Sequence, residues 1–240
     1  MLRRRQLIRQ MARGKHGGGP PRRSATVKVR SGRGRSTSSV RWLNRQLNDP
    51  YVREAQRLGY RSRAAFKLIE IDDRFKLLRP GRKVADLGAA PGGWTQVAIA
   101  RVGRGNVVAL DMLEMPAIDG ATIVQADFLD EEAPRRLREA LDGSADVVLS
   151  DLSPNAMGHP GTDHLRIVAM AEAVLDFAET VLAEGGDLVL KVFQGGAERD
   201  LLERLRRGFK TLKHVKPPAS RKESPELYVV AIGFKGGARD

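Results

Sequence analysis

Lys191 lies within Leu188-Val189-Leu190-Lys191-Val192-Phe193, an apolar run with the length of a strand covered on both faces. An ammonium there costs several kcal/mol unless it is paired or neutralised. Two readings follow: a buried ion pair with Asp151, which closes the run Ala145-Asp146-Val147-Val148-Leu149-Ser150, or a lysine tuned for proton work. A second group of chemistry-bearing residues begins at Asp86-Leu87-Gly88-Ala89-Ala90-Pro91-Gly92-Gly93-Trp94. It follows an apolar run and precedes an amphipathic one, so it reads as a strand, a glycine turn and a helix. Gly88, Gly92 and Gly93 let the backbone approach a ligand, and the helix N-terminus offers free N–H groups. A small polar or anionic ligand is expected at this turn.

Dinucleotide sites use G-x-G-x-x-G with an acidic residue about 20 positions further on. The glycine spacing here is wrong for that fingerprint, yet the acidic residue is present, because Asn106-Val107-Val108-Ala109-Leu110 reads as a second strand ending at Asp111. A carboxylate there can accept bonds from both hydroxyls of a ribose. A third strand, Thr122-Ile123-Val124-Gln125-Ala126, leads to Asp127, placed to reach an adenine edge. The missing pyrophosphate pattern leaves a nucleoside without one, and S-adenosylmethionine fits. The bland alternative makes the glycines turn punctuation and the aspartates solvated strand ends; three such features in register favour the ligand.

These residues need elements to hold them. Asp49-Pro50-Tyr51-Val52 reads as a helix start capped by Asp49, and two short helices run from there to Leu78, broken at Leu58-Gly59-Tyr60. Helical polar faces carry Arg41, Arg45, Arg53, Arg57, Arg61, Arg63 and Lys67. Beyond Asp127 the pattern predicts a helix over 131–141, a strand over 145–150, a helix over about 163–182, a strand over 187–193, a helix over 198–208, and strands over 211–216 and 226–232. Alternating strands and helices mean a mostly parallel sheet with helices on both faces, closed by an antiparallel C-terminal hairpin. Ligands of such sheets bind beyond the carboxyl ends of the strands, which is where Gly88, Asp111, Asp127, Asp151 and Lys191 fall.

With 240 residues, 41% of them hydrophobic, the chain fits one α/β domain with appendages. The absence of cysteine excludes disulfides, zinc-thiolate sites and thiol nucleophiles, and suits a reducing compartment. No apolar run reaches bilayer length and residues 1–10 lack a secretory apolar core, so a protein without membrane attachment is expected. The net charge of +13 is unevenly spread: residues 1–36 hold 12 Lys or Arg and no acid, and removing these from the 42 leaves 30 basic residues against 29 acidic. Residues 1–36 are therefore expected to be a disordered basic tail, with the folded domain over 37–236. Such an arm gains affinity for phosphate backbones by counterion release, and RNA is the expected partner. An organellar transit peptide and a solubilising tail are the competing readings.

Several blocks together resemble the FtsJ-type (RlmE) ribosomal-RNA 2′-O-methyltransferase family. They are Ser39-Val40-Arg41-Trp42-Leu43, Tyr60-Arg61-Ser62-Arg63-Ala64-Ala65-Phe66-Lys67-Leu68, the turn Asp86 to Trp94, Ser150-Asp151-Leu152-Ser153-Pro154-Asn155, Leu190-Lys191-Val192-Phe193-Gln194-Gly195 and Ser220-Arg221-Lys222-Glu223-Ser224-Pro225-Glu226-Leu227-Tyr228. The resemblance runs from about Ser39 to Phe234. It implies a Rossmann-like class I methyltransferase fold with a seven-stranded sheet, a catalytic tetrad Lys67, Asp151, Lys191 and Glu226, and cofactor contacts at Gly92, Trp94, Asp111, Asp127 and Asp151. The implied substrate is a uridine ribose of large-subunit rRNA in the assembled subunit. The implied setting is a cytoplasmic monomer without DNA or membrane partners, with the mitochondrial matrix as the other compartment the long basic tail allows.

A ribose hydroxyl must lose its proton as it attacks the methyl carbon. Crowding by the cationic sulfonium and by Lys67, with desolvation, favours a neutral Lys191 amine that takes this proton, so Lys191 is read as the base. Lys67 would orient the hydroxyl while Asp151 and Glu226 fix the two amines. Two carboxylates beside two lysines favour the opposite, charged ammonium groups acting by position and field. RNA contact is expected through the tail, Arg41, Arg61 and Arg63, and a C-terminal cluster of Lys210, Lys213, Lys216, Arg221 and Lys222. With 5% aromatics, Trp42 and Trp94 read as packing residues rather than base platforms. His159 and His164 sit in a loop expected to close over the cofactor, and no metal is expected.

Overall fold

The computed structural model describes residues 37–154, 160–193 and 199–236. The expected tail, Asn155 and His159 lie outside the described residues, and so does the side chain of Arg41. Three helices come first: α1 (Thr37–Asn48), α2 (Pro50–Leu58) and α3 (Ala65–Phe75). Asp49 caps α2, its Oδ1 accepting the Tyr51 amide at 3.0 Å, and Pro50 occupies the first helical position, where a missing N–H is harmless. Gly59 ends α2 at φ 78°, a left-handed conformation that frees the chain to turn into α3.

The rest is β1 (Val84–Leu87), α4 (Gly93–Val102), β2 (Val107–Asp111), β3 (Ala121–Gln125), α5 (Ala133–Leu141), β4 (Ala145–Ser150), α6 (Pro160–Val181), β5 (Leu182–Phe193), α7 (Arg199–Gly208), β6 (Phe209–Val215) and β7 (Glu226–Phe234). The strands form one sheet in the order β3-β2-β1-β4-β5-β7-β6. Pairing is parallel from β3 through β5, and β7 then runs antiparallel between β5 and β6. Helix α6 starts at Pro160, a residue suited to a first turn. Strand β5 begins five residues before the expected Asp187: Leu182 pairs with Ala145, and a register shift after Ala145 accommodates Ala183-Glu184-Gly185-Gly186.

One apolar cluster joins Leu87, Leu110 and Leu190 to Leu137 of α5, Leu175 of α6 and Leu205 of α7. The other face packs Val84, Val147 and Val189 against Leu68 and Ile71 of α3 and Val97 and Ala98 of α4. Burial on both sides explains why Val107-Val108-Ala109-Leu110 of β2 is a continuous apolar run without alternation, whereas in β1 Asp86 interrupts the run. The strand order reverses between β1 and β4, where Leu87 lies opposite Ser150. The crevice beyond that point is the place a sheet of this kind offers to a ligand.

Candidate active site

Four segments deliver ionisable groups to this crevice. Register sets Lys191 of β5 opposite Tyr228 of β7, so both side chains leave the same face, and Glu226 follows them at a spacing of two. Asp151 comes immediately after β4, and Lys67 from the first turn of α3, which covers that face. Lys191 Nζ donates to the Asp151 carbonyl and forms an ion pair with Asp151 Oδ1, each at 2.8 Å. Lys67 Nζ donates to Glu226 Oε2 at 2.9 Å and to the Tyr228 hydroxyl at 3.0 Å, and lies 3.8 Å from Asp151 Oδ1. The Tyr228 hydroxyl in turn donates to Asp151 Oδ1 at 2.5 Å. A single chain of polar contacts thus links both lysines, both carboxylates and a tyrosine. An ammonium at a helix N-terminus opposes the helix dipole. The carboxylates of Glu226 and Asp151 offset that for Lys67.

Tyr228 is the participant that sequence reasoning passed over: it stood in a quoted motif but read as a strand aromatic. Burial pushes its hydroxyl well above the ordinary tyrosine value, with the Asp151 and Glu226 charges adding to the effect. It therefore stays protonated and can donate to Asp151 while accepting from Lys67. Its ring packs 5.7 Å from that of Trp94, whose buried indole donates its N–H to the Ala64 carbonyl at 2.8 Å. Trp94 so ties the start of α4 to the start of α3.

The glycine turn lies beside this cluster. Gly88 (φ 71°) and Gly92 (φ 106°) hold left-handed conformations that a side chain would strain. A Cβ on Gly88 would meet the Leu152 side chain at 2.2 Å, and one on Gly92 would meet Ile118 at 2.4 Å. Their bareness serves close packing of the turn as well as backbone approach. Asp111 Oδ2 accepts the Ala90 amide and Oδ1 the Leu113 amide, both at 2.8 Å, which aims the carboxylate while leaving each oxygen a further lone pair. Asp127 is held alike by the Leu129 amide at 3.0 Å. Gly92 leaves α4 without a side-chain cap, so its first-turn amides have no side-chain acceptor at the turn. Two aimed carboxylates at adjacent strand ends beside uncapped amides suit a ligand carrying a ribose, an adenine and a charged tail.

Comparison with known proteins bears on this geometry. Residues 60–234 match the family model described as FtsJ-like methyltransferase. The chain belongs to the FtsJ-like methyltransferase family. Curated relatives named "Ribosomal RNA large subunit methyltransferase E" include that of Gluconobacter oxydans, 60% identical over 89% of this chain and 79% of the relative, and that of Paramagnetospirillum magneticum, 57% identical over 90% and 91%. A solved structure described as a ribosomal RNA methyltransferase from Plasmodium falciparum superposes with a TM-score of 0.66 at 27% identity, covering 74% of this chain and all of that one. A hemolysin-named chain from Streptococcus thermophilus, 19% identical with a TM-score of 0.54 over 73% of this chain and 67% of its own, shares the fold alone.

In this FtsJ-like chain the basic candidates fall into two groups. Arg63 and Arg221 line an open cavity of about 390 Å³ together with Lys67, Glu223, Ser224 and Glu226. Asp49 Oδ2 pairs with both, at 2.8 Å from Arg63 Nε and 3.3 Å from Arg221 Nη2, so one carboxylate caps a helix and braces two arginines. Lys222 is exposed beside them. Arg61 points elsewhere, its guanidinium taken up by main-chain carbonyls of the glycine turn and of the following loop. Among the described residues no cluster of metal-binding side chains occurs, and no helix is long and apolar enough to cross a membrane.

Asp86 was read only as the head of the turn, yet it is wholly buried and accepts the Thr95 hydroxyl at 2.6 Å. Burial raises its carboxyl to about 7, the Asp151 and Asp111 charges adding and the Thr95 bond opposing. An unfolded aspartate titrates near 3.9. Between about pH 4 and pH 7 the folded chain therefore holds a proton that the unfolded chain has lost, so this group's contribution to stability declines as pH rises across that window and is flat above it. Asp86→Asn should remove that decline. Urea unfolding at pH 5 and pH 8 is expected to show a pH-dependent loss smaller in the variant by on the order of 2 kcal/mol; identical losses would refute the assignment.

Proposed function

We propose that the chain transfers a methyl group from S-adenosylmethionine to the 2′-hydroxyl of a uridine in large-subunit rRNA, acting on the assembled subunit in the bacterial cytoplasm. The observation that carries this reading is the contact chain Lys191–Asp151–Tyr228–Lys67–Glu226 at the rim of the glycine-turn crevice. The names of the relatives support the substrate class, and their bacterial sources fit the proposed compartment. A protein that only bound ribosomes would have no use for two lysines buried beside two carboxylates, given what such burial costs.

S-adenosylmethionine would supply an electrophilic methyl group, held by the Gly88–Gly92 turn, Asp111 and Asp127. The chain's own residues deal with the hydroxyl. The open cavity beside Lys67 admits a nucleotide, with Arg63, Arg221, Lys222 and Arg41 contacting phosphates and the basic tail adding affinity that does not depend on base sequence. Lys191 already donates to the Asp151 carbonyl and is ion-paired with the Asp151 carboxylate. That arrangement suits a role in which Lys191 orients the ribose oxygen and stabilises developing negative charge, while the hydroxyl proton passes to water and the thioether leaves as S-adenosylhomocysteine. Lys67, fixed by Glu226 and Tyr228, does the same from the other side.

Incubation with labelled S-adenosylmethionine and undermethylated large subunits, free rRNA or tRNA, followed by mapping of the product, tests the proposal. One uridine 2′-O-methyl group in large-subunit rRNA, formed fastest on assembled subunits, is expected; methylation of tRNA alone would refute it.

A further inference from the structure

We propose that Arg61 is a positioning residue of the cofactor cradle, clamping its two walls together, and is not a phosphate contact. Its Nη1 donates to the Pro91 carbonyl at 3.2 Å and to the Pro116 carbonyl at 2.8 Å, and its Nη2 to the Ala117 carbonyl at 2.8 Å. Three of the five donors of the fork are thereby used on main-chain oxygens of two separate segments. The backbone of Arg61 is fixed as well: its amide donates to Gln96 Oε1 at 2.7 Å, and Gln96 Nε2 donates to the Gly59 carbonyl at 2.9 Å. The aliphatic stem closes the arrangement, since a Cβ on Gly92 would lie 3.2 Å from Arg61 Cδ.

The two walls matter because they aim Asp111. Ala90, next to Pro91, donates its amide to Asp111 Oδ2, and Leu113, at the start of the loop that carries Pro116 and Ala117, donates to Oδ1. Arg61 holds the two segments at a set separation and joins them to the stretch that leads six residues later to Lys67. A planar fork reaches divergent carbonyls at once, which a lysine cannot do. Sequence spacing placed Arg61 with the RNA-facing arginines, whereas Arg63, two residues on, is the one that lines the open cavity.

The inference rests on the reading of this cradle as an S-adenosylmethionine site. S-adenosylhomocysteine binding by calorimetry, and large-subunit rRNA binding across a salt series, are measured for the full chain, Arg61→Ala, Arg61→Lys and, for contrast, Arg63→Ala. Both Arg61 variants should bind S-adenosylhomocysteine roughly tenfold or more weaker, the scale of lost charge-assisted bonds that preorganise a site. Their RNA affinity and salt slope should match the unaltered chain, and KM for S-adenosylmethionine should rise while KM for RNA holds. Arg63→Ala should show the reverse. Unchanged S-adenosylhomocysteine affinity in the Arg61 variants with a salt slope lower by about one would overturn the proposal, as would full rescue by lysine. Failure of the unaltered chain to bind S-adenosylhomocysteine would overturn the cradle reading and this inference with it. Thermal melts monitored by circular dichroism confirm folding, and Arg61→Lys keeps the test open if Arg61→Ala does not fold.

Discussion

Lys191→Ala is expected to lower methyl transfer to undermethylated large subunits by about a thousandfold or more, the range over which electrostatic stabilisation and proton transfer each act. Binding of the subunit should be unchanged. The loss is large because Lys191 is the cation nearest Asp151, and its removal takes both the field at the ribose oxygen and the partner that orients the carboxylate. Lys191→Arg separates the two roles the lysine could play. A guanidinium does not deprotonate at working pH but still donates to Asp151. If Lys191 acts by charge and position, as its two contacts with Asp151 suggest, the arginine variant keeps measurably more activity than the alanine variant. Equal inactivity of the two, with a rate for the unaltered chain that rises with pH through the titration of one group, would reassign Lys191 as the base. Labelled-methyl incorporation under single-turnover conditions is the measurement, since product release then cannot mask the chemical step.

The sheet was legible because hydrophobic runs and their spacing carry its plan: strand ends at Asp111 and Ser150 followed from where apolar runs stopped. Lys191 was legible for a related reason, as a charge in a run that should hold none. What stayed hidden has a common physical cause, which is partners that leave no mark on residue type. Arg61 is engaged by carbonyls of Pro91, Pro116 and Ala117, and every residue has a carbonyl, so no spacing distinguishes a clamp from an RNA contact. Asp49 was identified as a cap, yet its second oxygen pairs with Arg221, 172 positions away, which only the tertiary fold could bring to it. Tyr228 stood out only as a member of the last strand, and its hydroxyl gains meaning only once β7 lies beside β5. Asp86 looked like a turn residue, and its complete burial depends on α4 folding back over β1.

The same contacts explain why chemistry and stability are bound together here. Tyr228 belongs to the core, and Lys67 and Glu226 are buried at the inner wall of the open cavity, so each of these groups has little water to turn to when a partner is lost. Asp151 is somewhat more open, its side chain 20% exposed, which suits the residue on which both lysines and the tyrosine converge. A site of this type is preorganised by interactions that exist before substrate arrives, and its stabilising field needs little rearrangement at the moment of reaction.

Removing Lys67 should therefore unsettle the fold as well as the reaction. Lys67→Met leaves Glu226, whose side chain is 10% exposed, without its cation, and strands a carboxylate next to Asp151. Breaking a buried pair from one side costs about 3–5 kcal/mol, because the remaining charge has no counterpart and little water. Urea denaturation of Lys67→Met should show a loss of that order, and activity should fall to background. Replacing both partners by neutral groups of similar volume is far less damaging than replacing one, so Lys67→Met/Glu226→Gln should recover most of the lost stability. It should recover none of the activity, because the ammonium that faces the ribose is still missing. A double variant as unstable as the single one would mean that the loss comes from the missing bond between Lys67 Nζ and the Tyr228 hydroxyl rather than from the stranded Glu226 charge. A double variant that regained methyl transfer would remove Lys67 from the reaction altogether.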